Sequence, residues 1–412
     1  MIRAALVACC ATALVSCNET TPPVNRYPLL DDVGQSNWQT ISAGGDHTCA
    51  LKSDGTAYCW GSNKFGQLGN AHADTICGTP TTGYPCQPTP QRVATDVKFI
   101  AISAGLRHTC GITKDREAYC WGANDQSQVA GFTGSGPTLS RIPGALPWTQ
   151  ISAGATHTCA VRSDGALFCW GQSERGEIGN GALTNANAPT LVNITSPVAA
   201  VSAGESRTCA RTTVGTVYCW GAIWTSRQGG LEVTRAQTRP QLVPNAPAMS
   251  SLSVGSFTTC GADMSGFAYC WEANPRGGMG NGTFDGSVTP QRILSDEQFV
   301  QVSSGIVQTC GVTVSGAGYC WGDDSFGQLG VATINVSDRC GDGTLPCISH
   351  PLAVIGRQAF TDISTGFGSH SCGVTTRGNL YCWGLGASGQ RGDGRINTSG
   401  VFTPITVKEP KA

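Results

Sequence analysis

The sequence predicts an all-β chain folded as a seven-bladed β-propeller, with four short antiparallel strands per blade and a disulfide inside each blade. Two cysteines separated by nine residues, the second followed by tryptophan, occur seven times. The copies are Cys49 with Cys59, Cys110 with Cys120, Cys159 with Cys169, Cys209 with Cys219, Cys260 with Cys270, Cys310 with Cys320, and Cys372 with Cys382. A repeat of about fifty residues marks an array of supersecondary units that share one continuous core. No segment shows helical periodicity, and glycine is abundant. An array closed around an axis leaves only short, protected edges. The competing array, an open β-solenoid, has shorter repeats.

The first unit shows the elements in order. Trp38 and Ile41 open an apolar strand that breaks at Gly44. His47 to Leu51 is a second strand-length run, Ser53-Asp54-Gly55 a turn, and Thr56 to Gly61 a third strand. Gly supplies the positive φ of a tight hairpin, and six of seven copies keep it, with Arg116 the exception. The fourth run carries a proline, as in Pro90, Pro189, Pro240 and Pro290, and proline belongs on an edge strand. Centring the turn on Asp54 places Cys49 across from Cys59, and the same symmetry holds in every copy. Opposed, non-hydrogen-bonded positions lie about 4.5 Å apart, within disulfide reach. Buried thiols are the alternative, and compartment decides between the two.

The N-terminus points to export. Met1-Ile2-Arg3 precedes an apolar run from Ala4 to Val15, too short for a membrane span. Leu14-Val15-Ser16-Cys17 resembles the lipoprotein cleavage box, so Cys17 is the expected lipidation site; an ordinary signal cut near Ala13 is the other reading. The expected organisation is a signal over residues 1–16, a lipidated cysteine and polar tether over 17–37, and one propeller over 38–412. Setting aside Cys9, Cys10 and Cys17 leaves Cys77, Cys86, Cys340 and Cys347, all within extra sequence in the first and sixth units. Local pairing of Cys77 with Cys86 and of Cys340 with Cys347 completes an even set, as exported chains favour. A zinc site is the weaker reading of these four. Net charge is −1, and no basic run exists to hold nucleic acid.

Ile41-Ser42-Ala43-Gly44, His47-Thr48, Cys59-Trp60-Gly61, Asn63 and Gly66-Gln67-Leu68-Gly69 resemble the regulator of chromosome condensation repeat. That resemblance covers nearly all of the expected mature chain and implies a seven-bladed propeller, here of an exported, cysteine-paired bacterial branch. It does not carry over the family's nucleotide-exchange activity, which is intracellular, because fold alone does not transfer function.

Several residue sets invite a chemical reading. His47, His108, His157 and His370 share one position, occupied elsewhere by Arg207, Thr258 and Gln308. Metal binding is one reading, but these substitutes do not form a ligand set, and a histidine bonded to a neighbouring loop fits better. Asp54 and Asp164 sit in turns that favour Asp for its local hydrogen bonds. Trp38, Phe99, Trp148, Phe299 and Phe360 align with Val198 and Met249 and read as core. No catalytic constellation, cofactor or metal site is recognised.

Departures from the repeat mark candidate partner contacts: Trp224 and Arg227 in the fourth unit, Phe132 in the second, Glu272 and Arg276 in the fifth. Trp and Arg are enriched at binding hot spots, although a tolerant loop also drifts. The expected function is a cell-envelope-anchored lipoprotein, monomeric and held at the bacterial outer membrane or cell surface by lipid alone. It binds another protein through loops on one face, with the two disulfide-pinned inserts and Trp224 sharing that face. The alternatives are an envelope polysaccharide-binding or carbohydrate-active protein, and a purely structural one.

Overall fold

Seven antiparallel sheets, each built from contiguous sequence, succeed one another along the chain. The structure is a computed structural model. It describes residues 36–410 apart from 72–74, 80, 132–133, 145–146, 228–229, 332–339 and 341–344, and not the side chains of 223–227 and 230–235. The signal, Cys17 and Phe132 therefore lie outside the described residues. All assigned elements are strands.

In blade 1 the strands are Trp38–Ala43, His47–Lys52, Ala57–Ser62 and Tyr84–Arg92. The first strands of neighbouring blades face each other around the axis, and the proline-bearing fourth strands form the outer rim. At every seam a serine on one first strand accepts the N–H of a residue on the next, from Ala104 N to Ser42 Oγ at 2.9 Å round to Ala43 N and Ser364 Oγ at 2.9 Å. The ring thus closes without exchanging a strand. Glu409, beyond the last strand, secures the closure by accepting from Trp38 Nε1 at 3.0 Å and pairing with Lys52 Nζ at 3.0 Å.

The core lies in layers between successive sheets. Phe99 and Trp121 of blade 2 pack on Cys49, Leu51, Leu68 and Val93 of blade 1, and the same pattern recurs round the ring. Trp60, Trp121, Trp170 and Trp383 are fully enclosed. An aromatic of this size buries about 150–250 Å², worth roughly 4–6 kcal/mol as an upper estimate. Trp38, Phe99, Trp148, Phe299 and Phe360 are core residues, as their register predicts.

Each repeat cysteine pair is directly opposed in the ladder and bonded within its own blade. Cys59 bonds Cys49, Cys120 bonds Cys110, Cys169 bonds Cys159 and Cys219 bonds Cys209. Cys270 bonds Cys260, Cys320 bonds Cys310 and Cys382 bonds Cys372. Their Cα atoms are 4.0–4.1 Å apart throughout, at the close end of the spacing expected from the hairpin register. The insert cysteines are bonded too, Cys77 to Cys86 and Cys340 to Cys347, at Cα separations of 5.8 and 5.3 Å.

Three details depart from four short strands per blade. Blade 1 gains a fifth strand, Thr75–Cys77, inside its disulfide-pinned insert. Blade 5 opens with only Ser253–Val254, because Ser250 N and Ser251 N both turn to Ala262 O. In blade 4 the third and fourth strands run on as Val217–Arg227 and Gly230–Leu242.

The hairpin between second and third strands is a three-residue loop. Lys52 N donates to Thr56 O and Gly55 N to Lys52 O, with Gly55 at φ 83°. Arg116 holds the same left-handed position in blade 2 at φ 63°, on the surface. Its Cβ meets a steric penalty there that glycine avoids. Arg116→Gly should therefore raise the free energy of unfolding by about 1 kcal/mol, read as a higher urea midpoint at an unchanged m-value.

Candidate binding face and the inter-blade locks

The repeat residues assemble a hydrogen-bond lock at six of the seven seams. Where blade 1 meets blade 2, Gln67 O accepts from both Thr109 Oγ1 at 2.9 Å and Trp121 Nε1 at 3.0 Å. His47 Nε2 lies 2.9 Å from Thr109 Oγ1. That hydroxyl has already committed its proton to Gln67 O, so the imidazole donates through Nε2. The pattern repeats with His108, Thr158, Trp170 and Gln128 O, then with His157, Thr208, Trp220 and Glu177 O. It closes the ring with His370, Thr48, Trp60 and Gln390 O. The accepting carbonyl is presented by the Asn-x-x-Gly-Gln-Leu-Gly turn, which Asn63 organises by accepting from Leu68 N at 3.1 Å. In blade 6 Asp324 replaces that asparagine and caps Leu329 N at 2.9 Å; burial pushes its carboxyl up to about 7.

The histidine ring is thus structural. All four imidazoles are fully buried, and burial holds them neutral: His47, His108 and His370 are lowered to about 3 and His157 to about 4. Each serves a seam of its own. Among the described residues no three His, Cys, Asp or Glu side chains are grouped to hold a metal.

One seam is built differently. In blade 4, residues 223–227 continue the ladder against 230–235, with Arg227 opposite Gly230, instead of folding back as a turn. Thr259 of blade 5 then donates to Glu272 Oε2 at 2.9 Å, and Glu272 pairs with Arg207, the residue at the histidine position of blade 4. Burial pulls the Arg207 guanidinium down to about 9, still cationic at neutral pH. Glu272 stands where the other six blades have glycine, at φ 91° against their 91–107°. A Cβ at Gly61, the same position in blade 1, would meet Asp46 O at 2.4 Å, so a side chain is tolerated here only through local adjustment.

Strand direction sends every first-to-second and third-to-fourth connection to one face. The turns, the extended blade-4 hairpin, the blade-1 insert and the Cys340–Cys347 disulfide of blade 6 therefore share it. Tyr84 Oη bonds Ser388 Oγ at 2.8 Å, so the blade-1 insert leans on the blade-7 turn. On its other side a groove of about 450 Å³ is lined by Phe65, Ile76, Pro85 and Pro137. The Arg107 guanidinium stacks over Phe65 at 4.9 Å, and Ile76 is 67% exposed.

The residues singled out in sequence divide accordingly. Trp224 and Arg227 have their backbones in the extended hairpin, their side chains lying outside the described atoms. Arg276 is half-buried in the blade-5 turn. Glu272 is only 6% exposed and turned into the seam, so its carboxylate serves Arg207 and Thr259 rather than standing out as a surface contact. Its partner Arg207 was recognisable as an aligned substitution. What sequence could not show is that the two departures, in different units, face each other.

The seams and the stapled hairpins define a disulfide-bonded seven-bladed propeller. The family described as RCC1-like domain matches residues 16–294 and 85–412. The chain belongs to that family. It is 35% identical over 100 residues to the ultraviolet-B receptor UVR8 of Arabidopsis thaliana, a stretch covering 24% of this chain and 21% of that protein. It is 33% identical over 105 residues to the mouse regulator of chromosome condensation, 25% of this chain and 22% of that one. The matched stretches thus span about a fifth of these relatives. Among solved structures, Saccharomyces cerevisiae Prp20p, described with its binding properties to Gsp1p and histones, superposes with a TM-score of 0.72 at 18% identity, covering 87% of each chain. Human WBSCR16 gives 0.71 at 18%, covering 86% of this chain and 94% of its own. At that identity the likeness concerns the fold.

The buried imidazoles make the ring acid-sensitive. With folded pKa values below the unfolded 6.5, the stability they confer is full above about pH 6.5 and is lost as pH falls towards the folded values. Gln308 already fills this position in blade 6, donating from Nε2 to Gly368 O at 2.9 Å. His108→Gln should therefore blunt the acid loss, by about 1–2 kcal/mol between about pH 7 and pH 5. Urea midpoints at the two pH values check this; parallel losses in both proteins would contradict it.

Proposed function

We propose that this protein is an envelope-anchored, non-enzymatic propeller that captures another protein through the loop-bearing face. The observation that carries the reading is that both inserts are pinned by their own disulfides on that face, flanking blade 7. Pinning lowers the conformational entropy lost on engagement. The groove beside the first insert adds exposed apolar and aromatic surface with a stacked guanidinium, a composition met at interface hot spots. Relatives of this family described as binding proteins, such as Prp20p, agree with a binding role without naming the partner here.

The anchor belongs to the same proposal. An apolar run ending in Leu14-Val15-Ser16-Cys17, followed by a polar tether, supports lipidation at Cys17. Nine disulfides suit an oxidising compartment.

One experiment separates the two parts. In envelope pull-downs, Cys17→Ser should move the protein to the soluble fraction yet keep its capture of a partner. Shortening both inserts to the length of the blade-3 turn should leave it membrane-bound and folded but end capture. Capture that survives the shortening would place the site elsewhere, and a glycan array run in parallel reads the polysaccharide alternative.

A further inference from the structure

We propose that the seam between blades 4 and 5 is a docking slot for a turn of a partner polypeptide, one that presents a free backbone carbonyl followed by an aliphatic side chain. This deepens the reading of the protein as a protein-binding propeller and rests on it.

The other six seams show what normally fills this place. A turn of the preceding blade offers its carbonyl, from Gln67, Gln128, Glu177, Gly278, Gln328 or Gln390, to the next blade's tryptophan. The residue after the carbonyl is then buried in the seam: Leu68, Val129, Ile178, Met279 and Leu329, with Arg391 in the seventh blade. Blade 4 sends no such turn, because its ladder continues to Arg227 and Gly230. A cavity of about 240 Å³ stands at that seam, lined by Trp220, Val243, Pro244, Trp271, Glu272 and Val288.

Three donors ordinarily address the turn, and the chain has treated them differently here. The backbone N–H that bonds the turn glycine, as Ala94 N does to Gly69 O and Leu294 N to Gly280 O, is replaced by Pro244, which has none. The threonine hydroxyl of Thr259 is redirected to Glu272. The third, Trp271 Nε1, makes no hydrogen bond among the described residues. The slot therefore retains one directed donor beside an apolar chamber, with Leu242 and Val288 exposed at its mouth.

That inventory selects the ligand class. The chamber is smaller than the roughly 300–1,000 Å³ typical of small-molecule sites. Among the described lining residues the charges are Arg207 and Glu272, which neutralise each other, so this lining suits an uncharged group. A single acceptor with one aliphatic group is what a Gln-Leu turn supplies at the other seams.

The probe is acetyl-Gly-Gln-Leu-Gly-amide, the sequence of residues 66–69, titrated into the ¹⁵N-labelled protein while the indole N–H resonances are followed. One resonance, identified by its absence in Trp271→Phe, should move downfield and saturate. The analogue acetyl-Gly-Gln-Asp-Gly-amide should leave it in place. Val243→Phe, which fills the chamber, should keep the melting temperature and abolish the response. A Trp271 resonance that ignores the peptide overturns the proposal. So does an equal response to both peptides. Partner capture is read separately in the pull-down: capture that persists while the peptide fails to bind overturns the slot alone. Peptide binding by a protein that captures nothing contradicts the scaffold reading instead.

Discussion

A backbone carbonyl that accepts two hydrogen bonds across six of the seven seams is the constraint on which this ring depends. No strand is exchanged between first and last blades, so closure rests on contacts between sheets. The turn carbonyl, the threonine hydroxyl and the indole N–H are all excluded from water. Each such bond contributes about 0.5–1.5 kcal/mol net, whereas leaving one buried partner unmade costs about 1–3 kcal/mol. The lock therefore enforces register more strongly than it adds stability. It also explains the repeat itself: tryptophan, threonine and the glycine-rich turn recur together because they form one network spread over two blades.

The fourth blade shows how the network tolerates losing a member. Removing the turn leaves donors without an acceptor, and the chain answers with a carboxylate at a backbone position otherwise reserved for glycine. A buried carboxylate needs a counter-charge, which Arg207 provides from the histidine position. Burying an ion pair brings little net stability, while losing one partner is expensive. The arrangement thus ties two substitutions in different repeats into a single feature.

Much of the architecture is legible in the sequence. The cysteine spacing sets a symmetric hairpin register, and the fold reproduces it in all seven copies because opposed cysteines can bridge only in that register. The core aromatics were recognisable from their alignment with Val198 and Met249. The seam network was less legible, since it joins residues 42 to 54 positions apart through a backbone carbonyl, which no side-chain pattern reports. Glu272 illustrates the difference. Read alone, a charge in place of glycine resembles a surface contact; only its φ and its burial show that it faces inward. Arg391 is a similar case: it replaces the Leu68-type residue, and its guanidinium fills the space that Gly386 leaves open in place of the turn asparagine.

The most direct test of this account is a double-mutant cycle on Arg207 and Glu272, followed by urea unfolding with disulfides intact. Arg207→Met should cost about 3–5 kcal/mol, because it strands a buried carboxylate. Adding Glu272→Gly should recover most of that loss and yield a coupling energy of about 2–3 kcal/mol. Additive costs, with no recovery in the double variant, would contradict the claim that the pair stands in for the missing turn.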